Sequence, residues 1–246
     1  MMGDKRDIVE VSDAEALADA AAQRLLACIE AQPDRAAICL TGGSSPKRLY
    51  QLLAEEPYRR RIPWPRVHWF IGDDRFVSLD DPLSNMGMAK RAFLDRCAPP
   101  DRIHPMPVDA ATPEAGAKRY ATALKTFYGA DHLNPAKPLF DLVLMGIGPD
   151  GHTASLFPGY PAIEETGRWV VGVEQAHVAP FVPRITLTLP TLAACDEMLF
   201  LVSGHDKRAI LTRVLEDPTL PAARARSRNK TTFLVDAAAM PERKHA

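Results

Sequence analysis

Strand-length apolar runs alternate with stretches of helical period along almost the whole chain. Ala36 to Leu40, Val67 to Ile71, Phe140 to Met145 and Glu197 to Val202 are short, largely apolar segments. Runs of that kind suit strands buried on both faces of a parallel sheet. Trp169 to Val173 and Ile185 to Leu189 read as two more strands, Ile103 to Val108 as a brief proline-broken one, and Thr231 to Val235 as a closing edge strand. Between them, residues 12–31 place Leu17, Ala21, Leu25 and Cys28 on one helical face, behind Ser12 and Glu15 in capping-box spacing. Further helices are expected from Lys47 to Glu55, with Pro46 in the first turn, from Ser84-Asn85 to about Arg96, from Thr112-Pro113-Glu114 to Tyr128, and from about Asp206 to Leu215. No repeat or low-complexity linker interrupts the alternation. The pattern predicts an α/β fold, a mostly parallel sheet with helices on both faces, over a single domain spanning 1–246.

Composition narrows the functional classes. The chain has 246 residues, 46% of them hydrophobic and 25% charged, within the range of ordinary globular proteins. Thirty basic against 31 acidic residues give a net charge of −1, so no global field draws it to nucleic acid or anionic lipid. A small anionic ligand held by a few local Lys and Arg remains compatible with that balance. Cys28, Cys39, Cys97 and Cys195 form no C-x-x-C pair and read as reduced thiols. The opening Met-Met-Gly-Asp-Lys-Arg-Asp has no apolar signal core, and no apolar run reaches spanning length. The expectation is a cytoplasmic protein acting on a small molecule, without nucleic-acid or membrane partners, as a monomer or homodimer.

Candidate chemistry gathers where the strands end, the rim at which open α/β sheets bind ligands. Ala36 to Leu40 runs into Thr41-Gly42-Gly43-Ser44-Ser45-Pro46, a strand–glycine–helix unit whose amides and small hydroxyls suit an anion. The spacing is not that of a Walker A loop. Val67 to Ile71 delivers Gly72-Asp73-Asp74-Arg75. Phe140 to Met145 delivers Gly146-Ile147-Gly148-Pro149-Asp150-Gly151-His152, placing a candidate general base beside a carboxylate on a glycine-rich turn. Glu197 to Val202 delivers Ser203-Gly204-His205-Asp206-Lys207, with a cation in a first helical turn, where the dipole disfavours it unless an anion is bound. Residues 146–151 also spell G-x-G-x-x-G, but Pro149 interrupts the phosphate-facing amides and Pro158-Gly159 ends any helix too soon for a dinucleotide site. His104 and His132 lie in polar, loop-like settings and are expected to be exposed.

Together, L-T-G-G-S-S-P (40–46), W-F-I-G-D-D-R-F-V (69–77), G-I-G-P-D-G-H-T-A-S-L-F-P-G (146–159), P-R-I-T-L-T (183–188) and Ser-Gly-x-x-Lys (203–207) resemble the 6-phosphogluconolactonase family, in order and over nearly the whole chain. The resemblance implies a Rossmann-like fold of the glucosamine-6-phosphate deaminase and ribose-5-phosphate isomerase type. It also implies hydrolysis of 6-phospho-D-glucono-1,5-lactone to 6-phosphogluconate in the pentose phosphate pathway, with no metal or organic cofactor. One departure is Asp73-Asp74-Arg75, where the family usually reads Asp-Glu-Arg. The related deaminases carry D-G-H-I-A-F-N-E where this chain has D-G-H-T-A-S-L-F (150–157), so their His-supporting Glu is matched by Phe157, and they carry Tyr where this chain has Arg75. Both differences favour the lactonase over a deaminase or isomerase. A non-catalytic sugar-phosphate sensor would need a further regulatory segment that the chain does not offer.

For a lactonase, His152 is expected to take a proton from water and return it to the ring oxygen. Arg75, or amides near Gly43, would stabilise the oxyanion. Asp150 either orients the imidazole or caps a short helix after it. Asp73 either meets substrate or holds Arg75. Gly42, Gly43, Ser44 and Gly151 complete the substrate-binding set, with Arg184 and Lys207 supplying charge for the phosphate. Ser155 falls in no G-x-S-x-G elbow, which argues against an acyl-enzyme route.

Overall fold

The computed structural model describes residues 6–242. The polar opening of the chain, residues 1–5, lies outside them. Among the described residues, nine strands form two sheets: β1 (Arg6–Val11), β2 (Ala36–Leu40), β3 (Val67–Ile71), β4 (Asp73–Arg75), β5 (Phe140–Met145), β6 (Val170–Val173), β7 (Arg184–Leu187), β8 (Cys195–Val202) and β9 (Lys230–Asp236). Six of them make a wholly parallel sheet in the order β1-β9-β8-β5-β2-β3. The other three form an antiparallel sheet, β4-β7-β6. The mostly parallel sheet of the expected fold class is present. The antiparallel one was not foreseen.

Burial explains which strands were legible. Every residue of β2 is buried, and β5 is buried except for Asp141, so side chains cover both faces of the sheet there. β1 has a half-exposed pattern and no apolar run, and it escaped the sequence reading. It takes the edge expected of Thr231 to Val235; β9 lies inside, between β1 and β8. Ile103 to Val108 does not form a strand. It makes one parallel bridge, Ile103 to Trp69, while the His104 amide donates to the Trp69 carbonyl at 2.8 Å, so this segment covers the open edge of β3.

The helices follow the predicted segments with local corrections. Helix Ala14–Glu30 is capped by Asp13, whose carboxylate accepts from the Ala16 amide at 2.9 Å; Ser12 only donates to Asp13. Helix Ser45–Leu53 carries Pro46 in its first turn, and helix Pro113–Tyr128 is capped by Thr112 and closed by Gly129 at φ 79°. Ser84 caps Asn85–Ala89, which runs on through a π-helical turn at Lys90–Leu94 to Asp95–Cys97. Lys207 ends a 3₁₀ turn ahead of helix Arg208–Glu216. One continuous apolar core joins residues of both sheets, among them Leu142, Leu199, Phe233, Ile185 and Leu187.

Connectivity fixes where a ligand can sit. From β2 the chain steps outward to β3, then crosses back to β5 on the other side of β2 and continues to β8 and β9. Strand order therefore reverses between β2 and β5, and the crevice beyond their C-terminal ends is the natural binding position in such a sheet. At the end of β3, Gly72 still bonds to Leu40 through its amide at 3.0 Å while its carbonyl accepts from Leu187 at 2.9 Å. That residue hands the chain from one sheet to the other, so β4 and β7 wall the crevice.

Candidate active site

The crevice is a cleft of about 210 Å³ lined by Thr41–Gly43, Asp73, Arg75, Asn85, Gly146–Pro149, His152–Ala154, Ala179, Arg184 and Lys207. Larger surface hollows exist elsewhere, but this one brings together the glycine-rich strand ends and the cations. Of the expected site residues, Gly42, Gly43, Asp73, Arg75, His152, Arg184 and Lys207 line it. Asp150 stands behind His152. Ser44 is exposed outside the lining, with no side-chain capping bond, and Gly151 packs against Leu220 instead of facing the cleft.

The His152 loop is a closed turn, not the start of a helix. The Gly148 amide donates to the His152 carbonyl at 2.8 Å, the Gly151 amide to the Gly148 carbonyl at 3.0 Å, and Thr153 Oγ1 to the Gly146 carbonyl at 2.8 Å. No helix follows; Thr153 and Leu156 bridge across a turn in which Ala154 has φ 50°, a strained value for a residue with a Cβ. The alternative role of Asp150 as a helix cap therefore falls away. Gly148 lies directly beneath the imidazole: a Cβ there would come within 1.9 Å of His152 Cε1.

Asp150 Oδ1 lies 2.5 Å from His152 Nδ1 and accepts from the His152 amide at 3.1 Å. Burial works to raise the Asp150 pKa, but the hydrogen bond and charge of His152 outweigh it and hold the carboxyl well below its usual range. An ionised carboxylate only accepts, so His152 Nδ1 carries a proton, and in the neutral ring Nε2 then keeps its lone pair. The ring packs on buried Phe157, with centroids 4.8 Å apart.

Three cations line the cleft with this imidazole, and none of them forms an ion pair among the described residues. Arg75 Nη1 donates to the Leu83 carbonyl at 2.9 Å and to Asn85 Oδ1, while its buried Nε has no partner among the described residues. Arg184, 3% exposed, donates to the Pro180 carbonyl at 2.8 Å and the Val182 carbonyl at 3.3 Å. Lys207 Nζ donates to the Ile147 carbonyl at 3.0 Å. Arg75 and Arg184 are also directly opposed across the β4–β7 ladder. Like charges so placed repel, and carbonyls neutralise neither. Burial lowers the Arg184 pKa, nearby Asp73 opposing and Arg75 adding to the effect. A cluster of cations so placed suits an anionic ligand.

The acids beside Arg75 do different work. Asp73 accepts from buried Ser155 Oγ at 2.6 Å and lies 3.4 Å from Asn85 Nδ2. Ser155 is thus a buried donor to Asp73, not an exposed nucleophile. Asp74 is fully buried and accepts from the amides of Arg75 (2.8 Å), Asn85 (2.6 Å) and Met86 (3.0 Å) and from Ser84 Oγ (3.1 Å). Burial pushes its pKa up to about 6 against those bonds. It pins the N-terminus of helix Asn85–Ala89 to β4, which sets Asn85 between Asp73 and Arg75. Sequence reasoning missed Asn85. The Ser84-Asn85 cap marked a helix start, but nothing in the sequence said that it folds back on Asp74.

Two further histidines depart from expectation or were not singled out. His104 is not exposed: its ring stacks on Phe70 at 4.3 Å and shares a 2.9 Å hydrogen bond with His68, away from the cleft. His177 Nε2 lies 2.9 Å from Asp150 Oδ2. Among the described residues no group of three or more His, Cys, Asp or Glu is arranged to hold a metal ion, and no helix is long and apolar enough to cross a membrane.

Comparison with known proteins agrees with this architecture. The family described as glucosamine-6-phosphate isomerases/6-phosphogluconolactonase matches residues 12–234. A 6-phosphogluconolactonase of Streptomyces coelicolor is 39% identical over 97% of this chain and 95% of its own length. The structure of 6-phosphogluconolactonase from Trypanosoma cruzi superposes with a TM-score of 0.83 at 28% identity, covering 97% of each chain. A monomeric glucosamine-6-phosphate deaminase, at 22% identity and a TM-score of 0.80 over 95% of this chain and 98% of its own, shares the fold. The chain belongs to the glucosamine-6-phosphate isomerase/6-phosphogluconolactonase family.

Proposed function

We propose that the chain, acting as a single domain, hydrolyses 6-phospho-D-glucono-1,5-lactone to 6-phosphogluconate, the lactone step of the oxidative pentose phosphate pathway. The observation that carries the reading is the pairing of one oriented imidazole with three cations that have only carbonyl partners among the described residues. A phosphorylated lactone has an anionic end for the cations and an electrophilic carbonyl for a water activated by the imidazole.

In this reading His152 Nε2 removes a proton from water as the oxygen attacks C1. The resulting imidazolium is stabilised by Asp150 and returns the proton to the ring oxygen as the C1–O bond breaks. Positioned acid–base help of this kind contributes about 10²–10⁴-fold. Arg75, fixed by Asn85, stabilises the oxyanion, and Arg184 with Lys207 receives the phosphate. Phe157, matched by an ionisable Glu in the deaminases, packs on His152 here and leaves its support to Asp150.

Mixing the protein with freshly made lactone and following acid release tests the activity. Ammonia release from glucosamine 6-phosphate without lactone turnover would overturn it. Within that assay, His152→Ala is expected to lower kcat by about 10² or more with the fold intact; near-wild-type turnover would remove His152 as the base.

A further inference from the structure

Asp150 is shared between two histidines. Oδ1 meets His152 Nδ1 at 2.5 Å, and Oδ2 meets His177 Nε2 at 2.9 Å. His177 belongs to none of the sequence motifs that mark the cleft and does not line it; it comes from the loop between β6 and β7. A carboxylate bound at one oxygen still turns about its Cβ–Cγ bond. One bound by donors at both oxygens has its plane fixed.

From this geometry we infer that His177 is a positioning residue: it holds Asp150 so that Asp150 can hold the His152 imidazole. Asp150 is ionised and can only accept, so His177 donates from Nε2 and His152 from Nδ1, and a single tautomer of the relay satisfies all three groups. The loop sets the His177 ring against two aromatic side chains. Its ring makes an edge contact with buried Phe157 at 5.0 Å and a tilted one with Tyr160 at 5.2 Å. Phe157 therefore packs on both imidazoles, one 4.8 Å and the other 5.0 Å away. Downstream, Arg184 fastens the same loop through the carbonyls of Pro180 and Val182. The phosphate-side cation and the base-orienting histidine thus lie on one strap. The His177 side chain is 39% exposed, so replacing it leaves the core intact.

The inference rests on the lactonase reading, and the test separates the two. His177→Phe keeps an aromatic ring against Phe157 and Tyr160 but removes the donor; His177→Gln removes the ring but keeps an N–H near the Nε2 position. With the phosphorylated lactone, His177→Phe is expected to lower kcat by about 10-fold, less than the 10²-fold that a 1 Å misplacement can cost. KM should stay within about twofold, because no substrate contact is lost. His177→Gln should recover most of that kcat. Wild-type kcat in His177→Phe, equal losses in both variants, or a change confined to KM would each overturn the inference. His152→Ala in the same series serves as the control. If it stays active, the reading of His152 as base fails; if it is inactive while His177→Phe is not, only the role of His177 fails.

Discussion

At the scale of single residues, the site depends on what is missing as much as on what is present. Gly148 is the clearest case, since its Cα hydrogen faces the His152 ring where a methyl would stand 1.9 Å from Cε1. The backbone there tolerates alanine, but the imidazole does not. Gly148→Ala is expected to push the ring off Asp150 and lower kcat by about 10²-fold, the cost of a misplacement near 1 Å. Thermal unfolding should barely change, and an unaltered kcat would show that the ring has another productive position. Gly42 is constrained in the same way by Asn85, whose amide oxygen would lie 2.0 Å from a Cβ. Both glycines stand in motifs whose backbone openness is legible in the sequence. The side chains they make room for are not both legible: His152 is announced by its turn, whereas Asn85 reaches the cleft only because Asp74 draws its helix inward. Asp74 carries four hydrogen bonds at full burial. Asp74→Ala would leave helix-terminal amides unpaired and is expected to cost about 2–4 kcal/mol. Urea unfolding at pH 7 checks this: the midpoint should fall with the slope unchanged, and an unmoved midpoint would mean that water replaces the carboxylate at no cost.

At the scale of elements, apolar runs identified the strands that are covered on both faces and failed for those that are not. β2, β5 and β8 lie inside the parallel sheet and β3 at its covered edge, and their apolar composition says so. β1 is an edge strand in which Asp7, Ile8 and Glu10 are exposed and no residue is fully buried, so its sequence resembles a polar lead-in. β4 is only three residues, Asp73–Arg75, and two carboxylates and a guanidinium carry no strand signal; its pairing with β7 supplies the structure. The short helix expected after His152 is replaced by a turn: Thr153 Oγ1 donates back to the Gly146 carbonyl and Thr153 bridges to Leu156. The cations were readable for a related reason. Arg75 and Lys207 each stand just past a strand end and Arg184 at a strand start, where the fold turns them toward one crevice. Their shared role yields a prediction for the pair of sheets. Arg184→Ala or Lys207→Ala is expected to raise KM for the phosphorylated lactone by about 10-fold or more, with a smaller effect on kcat. Should KM stay put in both, the phosphate binds elsewhere.

At the scale of the whole molecule, buried titratable groups outside the cleft couple the fold to pH in opposite directions. His104 lies at the covered edge of β3, where burial, then His68 and Arg102, lower its pKa to about 4 from an ordinary 6.5. Asp141, the second residue of β5, accepts from the Ala37 amide at 2.6 Å, yet burial raises it to about 6 from an ordinary 3.8. For His104 the folded chain binds the proton less well than the unfolded one. Its contribution to stability is complete above about pH 6.5 and is lost as pH falls toward 4. For Asp141 the folded chain holds the proton more tightly. Its contribution is complete below about pH 4 and is lost as pH rises through 6. The two slopes share one window with opposite signs, so the contributions of these two groups partly cancel. Removing either group should expose the other. Relative to wild type, His104→Phe is expected to gain stability at pH 4.5 compared with pH 7, and Asp141→Asn to gain it at pH 7 compared with pH 4.5. Each change should be on the order of 1–2 kcal/mol once solvent screening is allowed for. Chemical denaturation of the three proteins at the two pH values measures both differences directly. Parallel pH profiles for wild type and His104→Phe would mean that the His68–His104 pair takes up a proton without leaving its place over Phe70.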